Sequence, residues 1–265
     1  MYSPIIAVYK YVQYFLKAKN GKGHGIHSPF MFNFITHVLN DNKHYEPYQK
    51  IEIIRKQLLN NSQVLDVEDF GAGSKLKLTK QRKVKDIAAT SLKSKKFAQL
   101  LFRIVQYYQP KNIVELGTSL GITTAYLASG NNTAQIITME GSSAIASVAK
   151  ENIKKLFLQN IQLVQGNFDE TLTPTINSIN KIDLAFLDGN HRYLPTIQYF
   201  NTLLPKLHKE SIVILDDIHW SKEMEQAWEE IKHHNAVTLS IDLFTIGIVL
   251  FKEEFKTKQH FIIKF

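Results

Sequence analysis

The chain has 265 residues, 44% of them apolar, a net charge of +8 and no cysteine. Its length suits one large domain or a domain with a substantial extension, and its apolar fraction excludes a disordered chain. The missing cysteines exclude disulfides, thiolate metal sites and a cysteine nucleophile together.

The charge is uneven. Residues 1–111 carry 19 Lys/Arg against 7 Asp/Glu, giving +12, whereas residues 112–265 carry 13 against 17, giving −4. A basic first part could meet nucleic acid, an anionic substrate or a membrane face. Its lysines are scattered, however, and no nucleic-acid motif accompanies them, so a solvated helical surface is the simpler reading. The N-terminal run MYSPIIAVYKYVQYFLKAK is interrupted by Lys10, and neither a preceding basic segment nor a small-residue cleavage site accompanies it. No apolar run reaches about 18 residues. Neither a signal peptide nor a membrane span is expected, and a cytoplasmic protein is.

Residues 1–85 read as a helical, irregular extension. Ser28-Pro29 sets a capping side chain before a proline at the first helical position, and PFMFNFITHVL follows at helical spacing. IEIIRKQLL (51–59) is a second helix, with loop-like GKGHGIHS and NDNKHYEPY around the first. His24 and His27 lack the partners for a zinc site and read as loop residues. DFGAGS (69–74) looks like a nucleotide-binding turn, but charges precede it and basic KLKLTKQRKVK follows, so it reads as a loop or edge hairpin. An amphipathic helix over about 93–108 ends before Pro110.

From residue 112 the pattern alternates. NIVEL (112–116), QIITME (135–140), NIQLVQG (160–166), IDLAFLD (182–188) and SIVILDD (211–217) are nearly continuous apolar runs, as strands covered on both faces must be. Helical stretches near 121–129, 143–156, 193–204 and 222–234 separate them. This rhythm predicts an α/β fold with a Rossmann-like, seven-stranded, mostly parallel sheet and right-handed crossovers. AVTLSIDLF and IGIVLFK leave no room for a helix between them and should pair antiparallel at one edge. The domain boundary falls at 85/86.

A cofactor loop in such a sheet needs a buried strand before it and a helix after it. NIVELGTSLGITTAYLA (112–128) meets both needs, with Gly117 and Gly121 permitting tight turns. Its Gly-x-x-x-Gly spacing is not a dinucleotide fingerprint, which disfavours a nicotinamide-dependent oxidoreductase. Here the sequence resembles the class I S-adenosylmethionine-dependent methyltransferases. Within them it is most similar to the catechol and caffeoyl-coenzyme A O-methyltransferase group and related bacterial enzymes. VELGTSLG (114–121) matches the first motif of that family, and the resemblance covers about 86–265.

The resemblance implies S-adenosylmethionine as cofactor. Glu140 ends the second strand 25 residues after Glu115, where a carboxylate can accept hydrogen bonds from both ribose hydroxyls; Gly141 adjoins it. Backbone atoms of Gly117 and Thr118 would lie against the methionine part. Glu115 could satisfy loop N–H groups or the cofactor's ammonium. Asn167 and Phe168 stand where the family holds adenine, and Phe168 could stack on the base or be core. In the family a region corresponding to 75–96 lies over the cofactor, and Thr90-Ser91 resembles a short polar stretch there. It could favour an anionic acceptor or be exposed helix.

Methyl transfer needs an aligned nucleophile and removal of its proton. LDGNHRY (187–193) and ILDDIHW (214–220) follow the fourth and fifth strands and bring Asp188, Asp216 and Asp217 to one sheet edge. Three carboxylates repel unless a cation or proton intervenes, and an oxygen-rich site suits Mg²⁺ or another hard divalent ion. Metal-dependent family members hold the ion with an aspartate after the fourth strand and an Asp-Asn pair after the fifth. Asp188 and Asp217 match the aspartates, but Ile218 replaces the asparagine, and Asp216 could stand in. Otherwise Asp188 faces the cofactor and Asp216-Asp217 caps the next helix. His191 lies where catechol-type enzymes carry a lysine base, and an imidazole titrates near neutrality; His219 is the second candidate. The expected activity is O-methylation of a small molecule. An RNA methyltransferase using the basic first part, or a non-catalytic binding protein with the same fold, are the alternatives.

Overall fold

The computed structural model describes residues 1–23, 28–69 and 78–265, without the side chains of 69, 78 and 79. His24, His27 and most of the DFGAGS turn lie outside the described residues. The strands between Asn112 and Ile262 belong to one eight-stranded, mostly parallel sheet. The chain divides into two compact units, Asp41–Thr175 and Met1–Asn40 with Ile176–Phe265. The expected extension, 1–85, is thus shared between both.

The unit Asp41–Thr175 opens with helix α3 (Glu46–Leu59), following α1 (Pro4–Lys17) and α2 (Pro29–Phe34), which belong to the other unit. The antiparallel hairpin β1 (Val64–Asp69) and β2 (Leu78–Lys83) follows, then α4 (Val84–Ser91) and α5 (Lys95–Tyr108). Then β3 (Asn112–Leu116), α6 (Ile122–Gly130), β4 (Gln135–Glu140), α7 (Ser143–Lys155), β5 (Ile161–Gln165) and α8 (Phe168–Asn177) alternate. The three strands pair in parallel in the order β3-β4-β5, so their carboxyl ends lie side by side. Ile51, Ile54 and Leu58 of α3, Leu65 and Val67 of β1, and Val84 and Ile87 of α4 share one buried core with Phe102, Tyr126 and Ile145. The helices α3 and α4 and strand β1 are therefore packed onto the α/β helices through their own apolar residues. Tyr126 Oη donates to Glu52 (2.8 Å), a polar link at the rim of that core.

The other unit carries β6 (Ile182–Leu187), α9 (Tyr193–Leu203), β7 (Leu207–Asp216), α10 (Lys222–His233), β8 (Leu239–Asp242), β9 (Ile246–Leu250) and β10 (Gln259–Ile262). Its strand order is β10-β8-β9-β7-β6. β6 and β7 are parallel, whereas β9 runs antiparallel to both β7 and β8. The expected antiparallel pair is present, but it is not an edge. β10 adds an eighth strand, parallel to β8, where seven were expected. This strand has only four residues behind a lysine-rich stretch, too short to show a period. It is anchored by the segment after α1, where Lys19 N donates to Ile262 O (2.8 Å) and Lys264 N to Lys19 O (3.1 Å).

Helix α8 was also not expected, because Pro174 reads as a breaker inside FDETLTPTIN. Asn167 starts it: its Oδ1 accepts from Asp169 N (3.2 Å) and its carbonyl from Thr171 N (2.9 Å). No helix among the described residues is long and apolar enough to cross a membrane.

Candidate functional site

In the unit Asp41–Thr175, the turn after β3 is stitched to the end of β4. Gly117 N and Thr118 N both donate to Met139 O at 3.0 Å. Ser119 N donates to Glu140 Oε2 (2.9 Å), and Ser142 N to Glu140 Oε1 (3.0 Å), so one carboxylate joins two loops. Gly166 N then donates to Glu140 O (2.9 Å), which brings the end of β5 alongside. Gly117, Thr118, Ser119, Glu140, Gly141, Gly166 and Asn167 thus line adjacent strand ends. Phe168 follows as the first residue of α8 and is half-buried.

Local sequence explains this shape. Gly117 and Gly121 adopt φ of 101° and 81°, where a side chain is strained. At Gly121 a Cβ would also lie 3.3 Å from Ala149 Cβ, so α6 can approach α7 closely only with glycine there. Burial raises the Glu140 pKa above the ordinary carboxylate value, opposed by the amides of Ser142, Ser119 and Gly141. The buried Oγ atoms of Ser119 and Ser142, on either side of this carboxylate, have no hydrogen-bond partner. Unsatisfied buried hydroxyls are costly, and a polyhydroxylated ligand such as a ribose would supply their partners. The cradle fits a nucleoside. Neither serine was singled out from sequence, because nothing in G-T-S-L-G marks which amide turns toward the carboxylate.

Glu115 lies beneath the turn. It is fully buried, and its Oε2 accepts from Thr124 Oγ1 (2.5 Å) and Thr138 Oγ1 (2.6 Å). Thr138, having donated its proton, accepts from Thr118 Oγ1 at 2.6 Å. Through these hydroxyls the carboxylate ties α6 and the turn to β4. In α4, Thr90 Oγ1 donates to Asp86 O (2.9 Å) and accepts from Arg82 Nη2 (3.1 Å), so its polarity is used within its own helix and the preceding strand.

In the other unit, Asp188, His191 and Asp216 form one group. One ligand-type atom from each lies within 4.8 Å of the others. His191 Nε2 is 3.5 Å from Asp188 Oδ1, and Asp216 is only 1% exposed. Asn190 and His191 have φ of 68° and 39°, an unusual backbone that folds the imidazole back over the end of β6. The Trp220 ring lies 5.7 Å from that imidazole. Asp217 is not in this group; its φ is 53° and its carbonyl accepts from Trp220 N (2.9 Å). Neither Asp216 nor Asp217 caps α10, whose cap is Ser221 accepting from Met224 N. Two carboxylates and an imidazole, one carboxylate buried, are a donor set that fits a divalent ion.

His219, the second candidate base, is committed elsewhere. Its Nε2 meets Asp242 Oδ2 (2.8 Å), its Nδ1 meets Glu225 Oε1 (3.1 Å), and Phe244 stacks on it at 5.3 Å. Burial alone would lower its pKa, but Asp242 and Glu225 outweigh that and raise it.

Residues 114–218 match a family model described as a methyltransferase domain. A catechol O-methyltransferase from Niastella koreensis is 29% identical over 126 residues, covering 46% of this chain and 55% of that protein. An uncharacterised protein, R132, of Acanthamoeba polyphaga mimivirus is 26% identical over 129 residues, 44% of this chain and 58% of its own length. The chain thus spans just over half the length of the curated relatives it matches. Among solved structures, an S-adenosylhomocysteine-bound methyltransferase from Podospora anserina aligns with a TM-score of 0.59 at 15% identity, over 85% of this chain and 97% of that one. This similarity carries the fold.

Proposed function

We propose that this chain, a class I S-adenosylmethionine-dependent methyltransferase allied to the catechol and caffeoyl-coenzyme A O-methyltransferase group, methylates an oxygen of a small molecule. The observation that carries the reading is the Glu140 carboxylate joining two loops at the ends of parallel strands, flanked by two buried hydroxyls without partners. S-adenosylmethionine supplies an electrophilic methyl group when bound. In this reading Glu140 and the serine hydroxyls hold the ribose, Gly117 and Thr118 border the methionine part, and Gly141, Asn167 and Phe168 border the base. Glu115 supports the turn from within the core.

Asp188, His191 and Asp216 serve the acceptor. Either they hold a divalent ion, which lowers the pKa of the acceptor's hydroxyl, or His191 takes its proton directly. The two roles compete, because an imidazole nitrogen bound to a metal has no lone pair left for a proton. For Asp217 the resemblance implies metal ligation beside Asp188, and it covers the domain 86–265 only, with 1–85 as an extension to which it assigns no role. The basic segment 75–96 is the feature that would favour an anionic acceptor.

Calorimetric titration with S-adenosylhomocysteine, paired with methylation assays on a panel of hydroxylated acceptors, tests the reading. Binding is expected, with turnover lost in Asp188→Ala while the ligand's affinity stays within about tenfold. A chain that binds neither S-adenosylhomocysteine nor S-adenosylmethionine is not a methyltransferase; one that binds but never turns over is a binding protein. Turnover that survives EDTA but not His191→Ala assigns the base role and removes the metal.

A further inference from the structure

The outer face of α1 is apolar along its whole length. Ile5, Val8, Tyr9, Val12, Phe15 and Leu16 recur at helical spacing, and Ile5, Val8 and Leu16 are 83%, 64% and 79% exposed. The helix is not a loose end. Its inner face is held by Tyr2 Oη (2.7 Å) and Lys10 Nζ (2.9 Å) on Glu225, by Tyr14 Oη donating to Ile263 O, and by Tyr11 and Tyr14 packing on Phe244. A Ser3 cap and Pro4 at the first turn start it cleanly. A firmly anchored helix therefore presents a contiguous apolar stripe outward, which calls for a partner.

Charge chooses the partner. The first forty residues contain four lysines and no aspartate or glutamate. Lys10 is paired with Glu225, while Lys17, Lys19 and Lys22 are exposed at and just beyond the end of α1. Packing two copies stripe to stripe would bring basic segments together with no acidic residue among the first forty to complement them. An anionic lipid surface offers both an apolar layer for the stripe and negative headgroups for the lysines. Tyr9 and Phe15 are the ring types that settle at such a boundary. At 14 residues the helix is about 21 Å long, too short to cross a hydrocarbon layer of about 30 Å, so it would lie in the surface.

We propose that α1 is a membrane-surface helix that docks this protein on anionic lipid. The test is co-sedimentation of the full chain with vesicles of phosphatidylcholine alone and of phosphatidylcholine mixed with phosphatidylglycerol. Binding to the mixed vesicles only, weakened by added salt, is expected. The double variant Val8→Glu/Leu16→Glu should lose at least about tenfold of it while keeping its melting temperature and S-adenosylhomocysteine affinity. Both positions are mostly exposed, so the variant should fold. Wild-type protein that ignores mixed vesicles, or a double variant that binds them equally well, overturns the proposal. Sedimentation velocity showing a wild-type dimer that the double variant abolishes, without vesicle binding, would assign the stripe to a second copy instead.

Discussion

Glu140 shows how one side chain can serve structure and ligand together. Its two oxygens already accept from Ser119 N and Ser142 N, yet each retains a lone pair for a hydroxyl. Replacing it with glutamine keeps the size but gives up the charge and one acceptor. Glu140→Gln should weaken S-adenosylhomocysteine about 10- to 100-fold by calorimetry, the worth of one or two charged hydrogen bonds. The pH dependence has a definite sign. Burial raises the carboxyl's pKa, so the binding-competent ionised form is lost as pH falls through a value above the usual 4.5. Wild-type affinity should therefore decline on mild acidification and that of Glu140→Gln should not; parallel declines would remove Glu140 from the ligand.

At the scale of elements, the join between the turn and α6 depends on a single residue without a side chain. Gly121 combines a φ of 81° with a Cβ position pressed against Ala149 of α7. Gly121→Ala should cost about 1–2 kcal/mol from backbone strain alone, with more if α7 has to shift. Thermal unfolding measures it, and cofactor affinity should fall in parallel, because Ser119 and Gly117 lie in the same turn. An unchanged melting temperature would mean that the turn has a relaxed alternative.

Over a larger span, α1, α10 and β8 are tied by charges centred on His219. The imidazole sits between Asp242 and Glu225, and Glu225 also takes Tyr2 and Lys10. Its pKa is raised from 6.5, so its contribution is complete below about pH 6.5 and fades as pH rises through the folded value. Burial tends to raise the Glu225 pKa, but Lys10, Tyr2 and His219 together lower it, so its share is lost only as pH falls below the ordinary carboxylate range. At pH 6, His219→Gln should lower stability by about 2–3 kcal/mol, less than for a fully buried pair because the site is partly exposed. The gap between wild type and variant should narrow in denaturation at pH 9; an equal gap at both pH values would leave packing as the whole effect. The same network fixes the inner face of α1 and so orients the apolar stripe outward.

The alternation of apolar runs with helical spacing was enough to predict β3 to β7, the helices α6, α7, α9 and α10 and the antiparallel β8–β9 pair, because each strand run must be covered on both faces. The resemblance carried in VELGTSLG and the position of Glu140 marked one end of the sheet as the candidate cradle. Short or interrupted elements were not legible: β10 has four residues, and Pro174 hides α8. Nor could sequence decide which polar groups meet. That Glu115 turns inward to threonine hydroxyls, and that His191 rather than Asp217 joins Asp188 and Asp216, depends on left-handed backbone at 190, 191 and 217 and on contacts across strands. Periodicity is a local property of the chain and can be read along it. The direction of a side chain at a strained turn is set by what lies beside it in space, and only the tertiary structure supplies that.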